Sequence, residues 1–234
     1  MASWRFYLLG VIMKFILDMP PVIKVDDVFE QLECIPDRIP LVGEINEELA
    51  ATVRATIEMA QFNMDKTKQE IIPIIIDTYG GDAYAMMSII DAIDNCPYPV
   101  ATIIEGKAMS AGAVIASCGA RGYRYMAPNA TIMLHHVRLY TAGGSPEDLE
   151  VDAQELRRLH DIAMERIAKN CKKKKNFFTK KLREGGDADL YLSAKEALEI
   201  GLIDHIGLPM MKTTISITQE FGMDLEQWRP RKKR

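Results

Sequence analysis

The chain has 234 residues, 48% of them apolar and 26% charged, a globular balance with enough length for one substantial core. Its 29 Lys and Arg against 33 Asp and Glu give a formal charge of -4, which excludes polyanion binding driven by bulk positive charge. Four cysteines without a C-x-x-C pair and four histidines argue against a zinc site or a disulfide framework and for a reducing compartment.

The most apolar stretch, Phe6 to Met13, is bounded by Arg5 and Lys14 and falls well short of the ~20 residues of a membrane span. With no small-x-small cleavage site before Asp18, Pro20 and Pro21, it is not expected to be a signal peptide either. Residues 1–36 read as an N-terminal arm packed on the body or on a neighbouring subunit. From Asp37 onward, short β-rich runs alternate with helical stretches, the pattern of crossover units in a largely parallel, layered α/β fold.

Arg38 to Val42 reads as a strand, and Asn46 caps a helix whose apolar positions are Leu49, Val53, Ile57 and Met59. Ile71 to Ile76 is a buried strand whose Pro73 suggests an edge or an early position, ended by the turn Thr78 to Gly81. Asp82 begins a helix with Met86, Met87, Ile90 and Ile93 inside, stopped by Cys96-Pro97. A strand at Val100 to Ile104 leads through Gly106 to Met109, a sharp strand-to-helix turn, into a helix of small residues from Ser110 to Ser117. Strands around Tyr123 to Met126 and Thr131 to Leu134 flank Pro128 and Asn129. Ser145-Pro146-Glu147-Asp148 opens a long helix with apolar Leu149, Leu156, Leu159, Ile162, Ala163 and Ile167. Ser193-x-x-Glu196 is a capping box for a short helix closed by Gly201. Lys172 to Lys175 and the tail Arg229 to Arg234 are the biased segments, read as solvated charge and a disordered end, with no nucleic-acid role.

Three features point to chemistry. His135 follows Ile132-Met133-Leu134 at a strand end facing a cleft, where a structural histidine is the plain alternative. Ser110 sits on a tight turn before Ala111 and Gly112, which exposes its hydroxyl, although serine is also a common helix cap. Gly80-Gly81 lets backbone N–H groups approach a substrate, and no G-x-x-x-x-G-K-[ST] pattern turns it into a nucleotide cradle. Acyl transfer by a serine needs a base, an acid to orient that base, and donors for the oxyanion, and the sequence supplies candidates for each. Cys118 reads as a small buried hydrophobe, not a nucleophile.

Four segments in register, Ile76-Asp77-Thr78-Tyr79-Gly80-Gly81, Gly106 to Ala113, Ile132 to His135 and Leu192 to Ala197, resemble the proteolytic subunit family of the Clp protease, ClpP. The likeness runs from about Asp37 to Ile206. It implies a ClpP/crotonase-like layered α/β fold of repeated β-β-α crossover units, occupying residues 37–208, with a helix-containing handle at about 136–186 and a C-terminal extension at 209–234. It places the nucleophile on Ser110, the base on His135, the acid on Asp189, and the oxyanion donors on the backbone N–H groups of Gly81 and Ala111.

The sequence departs from the family at Thr78-Tyr79, where Ser-Pro or a similar pair is usual, at His136, usually glutamine, and at Ala188, usually arginine. Asp187 competes with Asp189, and His136 with His135, though alternation along a strand lets only one histidine face Ser110. The resemblance implies a serine endopeptidase acting on unfolded polypeptides, self-assembled into two stacked seven-membered rings. It needs no metal or organic cofactor, ATP being used by a separate Clp-family unfoldase. A cytoplasmic, organellar-matrix or host-cytoplasmic setting follows, with no membrane partner. Three rivals stand beside it: a crotonase-like enzyme acting on a coenzyme A thioester, a non-catalytic ring subunit, and a Ser-Lys protease of the signal-peptide-peptidase or capsid-maturation kind. Lys107 is too near Ser110 on the same turn to be an obvious base for the last.

Overall fold

The computed structural model describes residues 38–67, 71–138, 143–186 and 188–210. The arm at 1–36, Cys34, Asp187 and the basic tail lie outside the described residues.

In chain order the elements are β1 (Ile39–Ile45), α1 (Glu47–Thr67), β2 (Ile72–Gly81), α2 (Ala83–Asn95), β3 (Val100–Met109), α3 (Ala111–Ser117), β4 (Arg124–Met126), β5 (Thr131–Leu134), α4 (Pro146–Asn170), α5 (Phe177–Glu184), β6 (Leu190–Ser193), α6 (Ala194–Ile200) and β7 (His205–Ile206). The strands form one sheet in the order β1-β2-β3-β4-β7, and β5 leaves this path to pair with β3 and β6. All pairings are parallel except β5 with β6. Helical crossovers between parallel strands make this the layered α/β architecture expected.

The helix starts are local chemistry. Leu49 N donates to Asn46 Oδ1 at 2.8 Å and Ala85 N to Asp82 Oδ1 at 2.7 Å, so both caps satisfy first-turn amides. Ser145 with Asp148 and Ser193 with Glu196 form reciprocal capping boxes. On α1 the core face runs through Ala50, Val53, Ile57, Ala60 and Met64, while Met59 is half-exposed; helical periodicity carries Ala60, not Met59, onto the stripe begun by Val53 and Ile57.

Two strands are longer than the sequence suggested. Thr78 to Gly81 is the end of β2, and Gly106 to Met109 the end of β3. Pro73 sits second in an interior strand, not at an edge; it precedes the first β1 partner of β2, Ile74, so its missing N–H leaves that ladder intact. Between the Ile76–Ile104 and Thr78–Ala108 pairs, β3 carries two more residues than β2. At this irregularity the sheet forks: the first half of β3 pairs β4, and the second half pairs β5.

Helix α3 lies on β2 and β3, its small residues allowing close contact. Thr102 Oγ1 donates to the Ala116 carbonyl at 2.8 Å, and a Cβ on Gly112 would meet the Thr78 methyl. Along α4, Leu159, Ala163, Met164 and Ile167 are buried, with Ile162 on the outer side, while Leu149 and Val151 are exposed. Its C-terminal half therefore packs on the body, and its first turns stand clear before Glu155 accepts from Tyr84 Oη of α2 at 2.7 Å. The Lys172 to Lys175 run is the turn between α4 and α5, not a helix face; Lys175 Nζ pairs with Glu165 at 2.7 Å and Lys173 lies over the Phe177 ring. Arg124 of β4, only 4% exposed, ties the segment between α6 and β7 to the sheet through Asp204 at 2.6 Å and the Gly201 carbonyl at 2.9 Å, and donates to the Asn170 carbonyl at the end of α4 at 3.4 Å.

Candidate active site

Ser110 is the residue between β3 and α3, and it has φ 54 and ψ -118. A positive φ in a non-glycine residue costs of the order of 1–3 kcal/mol and persists only where the surroundings enforce it. Here the Ser110 N–H donates to the Met133 carbonyl of β5 at 2.8 Å, which pins the turn to the neighbouring strand. The hydroxyl makes no capping hydrogen bond to α3, so the helix-cap alternative does not account for this serine.

Gly80 has φ 102, and a Cβ added to it would lie 2.8 Å from the Ser110 Cβ and 3.2 Å from the Ala111 nitrogen. Only glycine lets β2 come this close to the β3–α3 turn. Gly81 (φ 152) is pressed in the same way against the backbone of Ile45, and the Asp82 N–H donates to the Ile45 carbonyl at 2.7 Å. The two glycines, Ser110 and Ala111 are therefore one backbone cluster, built where β1, β2 and β3 end together.

His135 follows β5 immediately. Because Met109 pairs with Met133, Ser110 and His135 leave adjacent parallel strands at the same end of the sheet. His135 Nδ1 faces the carbonyl oxygen of His136. A carbonyl only accepts, so Nδ1 is the donor in this contact, and Nε2 is the nitrogen that the neutral imidazole leaves for accepting a proton. His136 turns elsewhere: its ring lies 4.8 Å from that of His160 on α4. Neither nitrogen of His160 has a hydrogen-bond partner, and burial, with His136 beside it, holds its pKa below the ordinary value.

Asp189 directly precedes β6. The antiparallel β5–β6 register ends on Leu134 with Leu190, so one further step sets His135 opposite Asp189. The carboxylate, however, is paired with Arg138. The structure thus brings Ser110, Gly80, Gly81, Ala111 and His135 to one end of the sheet and Asp189 alongside, with the Asp189 side chain engaged by a different partner. Arg138 carries no local sequence signal that could have announced this role.

Beside the cluster, Lys107 Nζ is 2.7 Å from Asp77 Oδ1 and 4.3 Å from the centre of the Tyr79 ring. The hydrogen bond to Asp77 raises the lysine pKa, which is opposite to what a lysine base needs. Cys118 donates to the Val114 carbonyl at 3.3 Å, and burial raises its pKa, as it does for Cys171, pushed up to about 11. Neither thiol has the electropositive, acidified setting of a nucleophile. Among the described residues no group of three or more His, Cys, Asp and Glu could hold a metal ion, and no helix is long and apolar enough to cross a membrane.

Comparison with known families agrees with this layout. A family model described as Clp protease matches residues 24–209, which takes in every strand and helix described above. The chain, with its parallel-dominated sheet and the Ser110 turn at its end, belongs to the Clp protease family, a family of serine peptidases of the ClpP type.

Proposed function

We propose that this chain is a peptide-bond hydrolase in which Ser110 is the nucleophile, His135 the general base and Asp189 the orienting acid, with the N–H groups of Gly81 and Ala111 as oxyanion donors. The observation that carries the reading is Ser110 itself: a strained, uncapped serine pressed against a double glycine. Such a turn lifts the hydroxyl off the helix and sets backbone donors beside it.

In the forward reaction Ser110 Oγ attacks the substrate carbonyl carbon and His135 Nε2 takes the hydroxyl proton. The tetrahedral oxyanion is met by the two N–H groups. Collapse expels the amine, which receives the proton from the imidazolium, and water then hydrolyses the acyl-enzyme by the same relay. For full activity Asp189 must exchange Arg138 for the Nδ1–H of His135, because the carboxylate stabilises the imidazolium better than the His136 carbonyl does.

The family generally forms rings and works with Clp ATPases, and we extend this to the present chain: a ring-shaped self-assembly that cleaves short peptides unaided and folded proteins only when an ATP-driven unfoldase delivers them. The exposed Leu149 and Val151 on the first turns of α4 are the surface offered for subunit contact. ATP is the unfoldase's requirement. The chain itself is assigned no cofactor, no nucleic acid and no membrane partner, and its setting is the cytoplasm or an organellar equivalent.

Labelling the purified protein with a fluorophosphonate, with light scattering alongside, tests the reading. Label on the peptide containing Ser110, absent in Ser110→Ala, is the expected result. Absence of label in the assembled wild type assigns a silent ring subunit, the reading that the Arg138–Asp189 pair would then favour.

A further inference from the structure

Tyr79 is the most exposed aromatic residue near the site, at 72%. It precedes the glycine that touches Ser110. Its position on the sheet follows from the register: Thr78 and Ala108 are partners and both fully buried, so the residues after them, Tyr79 and Met109, point to the opposite face. Met109 is paired with Met133, and Met133 with Tyr191, which is 57% exposed. An apolar row therefore crosses the face of the sheet from β2 to β6, beginning with Tyr79 beside the oxyanion glycines.

The ring is held, not loose. The Lys107 ammonium covers one of its faces at 4.3 Å, and Asp77 on the same strand as Tyr79 anchors that ammonium at 2.7 Å. With Asp77 neutralising Lys107, the surface presented to a substrate is aromatic and without net charge. The face of the ring away from Lys107 is open. A planar side chain stacked on it would gain from area burial and ring geometry without ordering a flexible partner.

We propose that Tyr79 is a specificity-determining residue whose open face receives an aromatic or similarly planar apolar side chain of the substrate, in a position flanking the scissile bond. The proposal rests on reading Ser110 as the nucleophile. Lys107 and Asp77 act through Tyr79, as positioning residues. An acidic side chain at that position gains nothing, because the nearby cation already has its counter-charge.

The test is a set of peptides varied one position at a time around the cleavage site, assayed with the assembled protein. The readout is the ratio of kcat/KM for Phe over Gly at each position, which is independent of the fraction of active protein. One flanking position should favour Phe in the wild type. That ratio should fall about 5- to 10-fold in Tyr79→Ala and be retained in Tyr79→Phe. Asp77→Asn, which strips Lys107 of its counter-charge, should raise the turnover of peptides with Glu at the same position. A Phe/Gly ratio indifferent to Tyr79→Ala overturns the proposal. Failure of fluorophosphonate to label Ser110 in the wild type overturns the functional reading on which it rests, so the two failures are told apart.

Discussion

Asp189 stands one register step beyond the Leu134–Leu190 pair, opposite His135, yet its carboxylate is bound by Arg138. In the proposed triad this acid must serve the imidazole, and a guanidinium three residues beyond His135 competes for it. The pair is partly exposed, so it is worth little as a source of stability and can exchange readily. Replacing Arg138 with Gln should leave folding unchanged and raise peptide turnover, whereas Asp189→Asn should lower kcat by about 10⁴-fold. Steady-state kinetics on the two variants and their combination decides this; a drop in turnover for Arg138→Gln would show that the arginine supports the acid.

The backbone strain at Ser110 predicts a difference between two inactive variants. Alanine keeps the penalty of a positive φ, while glycine relieves a strain of about 1–3 kcal/mol and gives back roughly 0.5–1 kcal/mol through its greater freedom when unfolded. Ser110→Gly should therefore be more stable than Ser110→Ala by about 1 kcal/mol in urea titrations. Equal midpoints would mean that the strain does not exceed the entropic cost of glycine.

The buried Arg124–Asp204 pair predicts acid sensitivity. Burial alone would raise the Asp204 pKa, but hydrogen bonds from Arg124 and from the Gly122 and Arg124 amides outweigh it and hold the pKa below the ordinary carboxylate value. A depressed carboxylate pKa adds stability above the unfolded value of 3.8, and that stability is lost as pH falls through the folded value. Arg124→Met should cost about 3–5 kcal/mol, since it strands the carboxylate, and Asp204→Asn should flatten the pH dependence of the melting temperature below about pH 4.

His160 predicts a separate effect nearer neutrality. Its neighbours are His136 and His135 beyond β5, Asp161 on its own helix and Arg183 on α5; burial dominates and, with the histidines and Arg183, outweighs the raising effect of Asp161. The folded pKa lies below the ordinary value of 6.5, so the unfolded chain binds more protons as pH falls through that value. Stability is fully present above it and declines below it. His160→Leu should remove both the acid-side decline and two unpartnered ring nitrogens, giving a melting temperature that is higher at about pH 5.5 and less dependent on pH than in the wild type.

What was legible in the sequence was whatever local chemistry decides. Asn46, Asp82, Ser145 and Ser193 announce helix starts because a capping side chain answers amides two or three residues away. Ser110 and Gly80-Gly81 stood out for a similar reason, since turn geometry limits which residues fit. Strand β6 was not announced: it has four residues, and its partner β5 lies some sixty positions earlier. Helix α5 was masked by its lysines, with only Phe178 and Leu182 marking its buried side. The Arg138–Asp189 and His136–His160 pairs are likewise contacts of tertiary structure. Nothing in the spacing of those residues fixes them.

The Gly112–Thr78 and Gly80–Ser110 contacts divide the site into a fixed part and an adjustable part. Contacts this close leave the Ser110 turn and the glycines beside it no independent travel, since displacing one drags β2, β3 and α3 together. The proton-handling groups are mounted differently, just beyond the ends of two four-residue strands and within reach of the long helix α4. On the proposed triad, a change at α4 therefore reaches the His135 side of the site through His136 and leaves the Ser110 turn in place. Such a division would let turnover be tuned without moving the nucleophile.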